Sequence, residues 1–168
     1  VKTCWKCGED KELEAFWKRK SNADGLDNFC ATCKLETRRE QSQTPQGLYE
    51  TKSRIITAYN KQFWFPNYDQ YTYQVDHKFS IRKGYQVGIS LDVINNKNNL
   101  QLLTIYDNRK KGRKCSINID QLHTTYQNCS RHTRLCEIVR DITDINILEV
   151  MRLKITERID AEKSQIEL

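Results

Sequence analysis

The spacing of apolar positions changes from one region of the chain to the next. Leu135, Ile138, Val139, Ile142, Ile145, Leu148, Met151, Ile155 and Ile159 recur every three or four residues. That rhythm predicts a long amphipathic helix with a break near 143–146. Leu48, Ile55, Ile56 and Tyr59 share a second helical face, so a helix is expected over 48–65, ended by Pro66 and Asn67. The run 71–81 (YTYQVDHKFSI) is rich in β-formers with partial alternation and predicts a strand, while 100–103 is a brief apolar run. Residues 82–99, with Gly84 and Gly88, read as an irregular insert with a short helix at 90–95; 119–126 suits another short helix.

The first forty residues lack such a rhythm. What they have instead is cysteine: Cys4-x2-Cys7, twenty-two residues, then Cys30-x2-Cys33. A segment this short cannot bury a real core and needs a staple. Each pair can form a tight turn that aims two thiolates at one ion, and two such turns supply the sulfur tetrahedron of a closed structural Zn²⁺ site. Gly8 suits the first turn. Disulfides and an iron–sulfur centre are the rival readings; the odd total of seven Cys and the tight pairs point to metal in a reducing compartment. No apolar h-region opens the chain and no stretch of about 18 apolar residues occurs, so an intracellular protein with no membrane partner is expected.

Charge adds a direction. The chain carries +6 over 168 residues, but residues 141–168 hold seven Asp or Glu against four Lys or Arg, leaving +9 on the first 140. A basic body with an acidic end fits a polyanionic partner. The densest stretch is 107–114 (DNRKKGRK), with Arg109, Lys110, Lys111, Arg113 and Lys114; Arg82 and Lys83 lie on the insert. In the cysteine-rich segment, Lys18, Arg19 and Lys20 stand beside Phe16 and Trp17, a composition that suits DNA or, read plainly, a small core with a wet surface.

Against this background an Asp-His pair, Asp76-His77, is followed by Asn99 and by Asn108 at the edge of the basic run. The stretch VDHKFSI … NNLQLLTIYDNRKKGRK resembles the HNH endonucleases, and among them the stand-alone HNH nucleases of bacteriophages, homing endonucleases included. The resemblance covers about residues 71–115. It implies an α+β chain with a ββα-metal core, in which Asp76 matches the metal-binding acid, His77 the general base, Asn99 the central Asn that shapes the loop, and Asn108 the last motif position. Asn at that last position, where many members have His, favours a hard cation such as Mg²⁺. The implied reaction is hydrolysis of double-stranded DNA to 5′-phosphate and 3′-hydroxyl ends, in the host cell if the chain is phage-encoded. Adjacent residues of a regular strand face opposite ways, so Asp76 and His77 must reach a phosphate from two sides, or the strand must end there.

The expected organisation is a zinc module over 1–40, a linker (41–47) and helix to 66, a nuclease core over 67–115, and a helical region over 116–168. The terminal helix is expected to pack on the core or on a second copy in a homodimer. Arg131, Arg134 and Arg140 are further candidates for DNA. Cys129-x2-His132-x3-Cys136, with Cys115 nearby, is a candidate second zinc set; the plain reading is buried thiols. His123 is a weaker candidate for a phosphate. The rival functions are a non-catalytic DNA-binding or packaging protein of the same fold, and a nuclease of RNA or branched DNA.

Overall fold

The computed structural model describes residues 1–129 and 134–166. It divides into two compact units, Val1–Thr44 and Pro45–Leu168, and combines helices with small antiparallel sheets, an α+β chain.

The first unit is built of short pieces. Strands β1 (Lys2–Thr3) and β2 (Asp10–Lys11) pair antiparallel, as do β3 (Phe16–Lys18) and β4 (Leu26–Cys30), and β4 runs directly into helix α1 (Ala31–Gln43). Helix α1 buries only Cys33. Its polar surface is tied down by charge: Lys6 to Glu40 (3.0 Å), Lys34 to Asp27 (2.8 Å), and the Arg38 guanidinium 4.6 Å above the Trp17 ring.

The second unit opens with α2 (Pro45–Trp64), whose first residue is proline, the position where a missing N–H costs nothing. The segment 41–47, expected as a linker, is therefore helical on both sides of Thr44. Asn67, at φ +63°, turns the chain after Pro66. Strand β5 (Tyr73–His77) pairs antiparallel with β6 (Leu100–Thr104), in the register Tyr73↔Thr104 through His77↔Leu100. The insert between them has the short helix expected at 90–95 and is more regular than expected elsewhere. It holds α3 (Ile81–Gln86), capped by the Ser80 side chain, α4 (Leu91–Ile94) and a 3-10 turn at Lys97–Asn99. Strand β6 passes through the capping residue Thr104 into α5 (Ile105–Lys111), which stops at Gly112 with φ +57°. Helix α6 (Ile119–Gln127) starts with a reciprocal capping box between Asn118 and Gln121.

The amphipathic rhythm of the last third becomes α7 (Arg134–Arg140) and α8 (Ile145–Ile166), broken at 141–144, two residues ahead of the expected 143–146. Two apolar clusters hold this unit. Ile55, Ile56, Cys136, Val139, Ile145 and Leu148 join α2 to α7 and α8; Phe79, Ile89, Ile94 and Leu122 join the insert to α6. Among the described residues, no helix is long and apolar enough to cross a membrane.

Candidate functional site

In the first unit, the turn between β1 and β2 carries Cys4 and Cys7. Gly8, at φ +73°, closes it with its N–H donating to the Cys4 carbonyl (2.8 Å), a conformation that L side chains rarely adopt. The second pair sits at the start of α1, with Cys30 as its N-cap and Cys33 in its first turn, where the helix dipole favours negative sulfur. The four ligand atoms lie within 4.8 Å of one another. A zinc tetrahedron with bonds near 2.3 Å has edges of about 3.8 Å, so small side-chain rotations would close the set on one ion. The Cys30 N–H already donates to Cys4 Sγ (3.3 Å). Burial works to raise the Cys4 thiol, but the backbone N–H groups of Cys7, Cys30 and Lys6 outweigh it and bring it down to about 6. Cys33 is pushed up to about 12, by burial first and then by the neighbouring sulfurs. Four crowded sulfurs cannot all ionise unless a cation balances them, which is the demand a metal ion meets.

In the second unit, β5, β6 and α5 gather the remaining motif residues. Asp76 faces α5: its carboxylate takes the Lys111 ammonium at 2.9 Å and the Gln101 amide at 3.0 Å. Asn108, one turn earlier on α5, donates from Nδ2 to Gln74 Oε1 (2.8 Å), which leaves its own Oδ1 as an acceptor. Asn99 is fully buried and fastens the loop after β5. Its Oδ1 accepts from the Phe79 N–H (2.8 Å), and its Nδ2 donates to the carbonyls of Ile94 (2.7 Å) and Phe79 (3.4 Å). Asp76 and Asn108 do not bond each other among the described residues.

His77 points the other way, as strand alternation requires. It is the last residue of β5, only 6% exposed, with Nε2 3.1 Å from Asn95 Oδ1 and 3.3 Å from Thr57 Oγ1. These partners fix which nitrogen carries the proton. Asn95 Nδ2 donates to the Leu91 carbonyl (2.9 Å), so its Oδ1 must face the ring, and an amide oxygen only accepts. Nε2 is then the donor and Nδ1 holds the lone pair. Ser53 Oγ, donating to the same Asn95 oxygen (2.8 Å), completes the buried network. Burial pushes the imidazole down to about 4, opposed by the Asn95 bond and the Asp76 charge; the ring is neutral at pH 7. On this side of β5 a cleft of about 610 Å³ opens, lined by α2 and the segment leading into β5, with Asp76 and His77 in its wall.

No family model, curated protein or solved structure matches the chain.

The other candidates fall in different places. Arg82 and Lys83 are exposed on α3, Arg109 and Lys110 on α5, Arg113 and Lys114 just beyond it, and Lys18, Arg19 and Lys20 in the first unit. Lys111 stands apart from the basic run. Its ammonium is held by Asp76 and by the His77 carbonyl (2.9 Å) and is largely covered. Arg140 pairs with Asp92 (3.2 Å). Cys136 is a core residue whose thiol burial pushes up to about 12, Cys129 is buried, and Cys115 and His123 are exposed. Arg131 and His132 lie outside the described residues. Sequence reasoning missed Ser53, Thr57 and Asn95. The available signal was a polar stripe, Ser53, Thr57 and Asn60, on a helix that already had its apolar face.

Proposed function

We propose that the chain is a metal-dependent DNA endonuclease of the HNH type, with a ββα-metal core formed by β5, β6 and α5 and a structural zinc ion on Cys4, Cys7, Cys30 and Cys33. The observation that carries this reading is His77: a neutral imidazole, pinned through Nε2 at the end of β5, one residue from a carboxylate on the opposite face. Nδ1 is then the nitrogen that takes the proton from an attacking water. A phosphodiester beside it would raise its pKa from about 4 towards the working range. Asn99 holds the loop that ends the strand, and so the backbone from which His77 projects. Asp76 and Asn108 offer oxygen donors, the ligand chemistry that suits Mg²⁺. When bound, such an ion would offset charge on the phosphate and the leaving oxygen. The cut would leave a 5′-phosphate and a 3′-hydroxyl.

One observation favours a second reading, a DNA-binding protein of this fold that does not cut. The Lys111 ammonium already neutralises Asp76. A plasmid library incubated with Mg²⁺, with ends mapped on each strand, separates the two. Cleavage that His77→Ala reduces by about 10²–10⁴ while DNA binding persists supports the nuclease. Wild-type protein that binds but leaves every plasmid intact supports the second reading.

A further inference from the structure

The cleft on the His77 side of β5 has a composition that the motif does not account for. Helix α2 contributes Arg54, Thr57, Ala58 and Lys61, spaced so that all four share one face. Ala58, between the two cations, has almost no side chain and leaves room there. Across from them stand Tyr71, 85% exposed, and Tyr73, 40% exposed. An aromatic ring this open contributes little to folding, and two of them beside a cationic wall form a surface on which bases can stack while phosphates are neutralised. Arg54 pairs with Glu50, one turn earlier on the same helix (2.8 Å), an exposed pair that a phosphate can displace. His77 lies in the wall of the same cleft.

From this we infer that the cleft holds a single, unpaired DNA strand, with Arg54 and Lys61 on its phosphates and Tyr71 and Tyr73 stacked on its bases, leading the backbone to His77. The inference rests on the nuclease reading for what happens at His77, but the binding it describes does not require cleavage. Stacking needs an exposed base face, which a closed duplex offers only at its ends. The strand must therefore be splayed from its complement, or arrive already single. The exposed cations of α3 and α5 are left to duplex backbone, where contacts position without stacking.

The test measures binding of a short fluorescent DNA single strand, and of the same strand in a duplex, without magnesium. Arg54→Ala/Tyr71→Ala should weaken single-strand binding about tenfold or more and lower its salt slope by about one. Both side chains are exposed, and an unchanged melting temperature verifies the fold. A strand carrying 5-iodouracil should photocrosslink to Tyr71 or Tyr73. Wild-type affinity in the double variant, or crosslinks confined to other residues, would overturn the inference. The two proposals fail separately. If the wild type binds single strand through the cleft yet never cuts, the nuclease reading falls and this one stands. If it cuts, and the double variant binds and cuts as the wild type does, this one falls alone.

Discussion

The two units solve the same folding problem by different means. In Val1–Thr44 the buried apolar cluster is Cys4, Phe16, Cys30 and Cys33, three of the four being cysteine. In Pro45–Leu168 the interior is aliphatic, with Ile55, Ile56, Ile94, Leu122, Val139 and Leu148 essentially inaccessible to water. The first unit has a cluster of four cysteines that could hold a metal ion where the second has an aliphatic core. Several of the second unit's internal polar groups, Ser53, Thr57, Asn95 and Asn99, hold one histidine and the loop beside it.

The largest test of that contrast is metal removal. Stripping the ion with a strong chelator, or substituting Cys30→Ser, should unfold the first unit, since apparent zinc-binding energies of small zinc domains reach about 10–16 kcal/mol. The amide signals of the second unit should stay dispersed in an NMR spectrum. Native protein free of zinc by elemental analysis would break the comparison outright.

The mirror experiment acts on the aliphatic core. Leu148→Ala should cost about 2–5 kcal/mol in urea melts of the second unit and leave zinc content unchanged. A loss below 1 kcal/mol would mean that α8 is not part of the core.

Acid should act through His77, which has no counterpart in the first unit. Its folded pKa is about 4 against 6.5 when unfolded. Between these values the unfolded chain takes up a proton that the folded chain refuses. The stability from burying the neutral ring is complete above about pH 6.5 and drains away as pH falls towards 4, on the order of 3 kcal/mol in total. Urea melts at pH 7 and pH 4.5 check this, with His77→Gln flattening the difference.

The smallest effect concerns the proton on Nε2. Asn95→Asp would place a carboxylate beside that N–H, favour the imidazolium and raise the His77 pKa by about one unit or more. Nitrogen-15 shifts of the ring should show the Nε2–H form in the wild type and the higher titration in the variant. A ring protonated on Nδ1 at neutral pH would overturn the assignment.

Much of this was legible in the residues, though not evenly. The cysteine spacing is a local constraint: two-residue gaps form turns whatever lies between the pairs. Apolar rhythm is equally local, and it placed α2, α6 and, to within two residues, the break between α7 and α8; the β-formers of 71–81 contain the shorter β5, while the strands of the first unit had no such signal. The segment 41–47 misled because Pro45 reads as a breaker, whereas at the first position of a helix it is tolerated. In the insert, the short helix expected at 90–95 is α4, but α3 was missed because a six-residue helix fixed by the Ser80 cap carries too few residues to show a period.

The sequence by itself determined the two cysteine pairs of the first unit, the helical phases of the second, and the adjacency of Asp76 and His77, all set by neighbours along the chain. Only the tertiary structure decided what those two side chains face. Strand alternation sends them apart, but it does not say that α5 brings Lys111 to one and that α2 and α4 bring Thr57 and Asn95 to the other. The five basic residues of 107–114 look alike in one dimension, and packing removed Lys111 from them. Hydrogen bonds and desolvation depend on distances between residues far apart in the chain, and those distances exist only once it has folded.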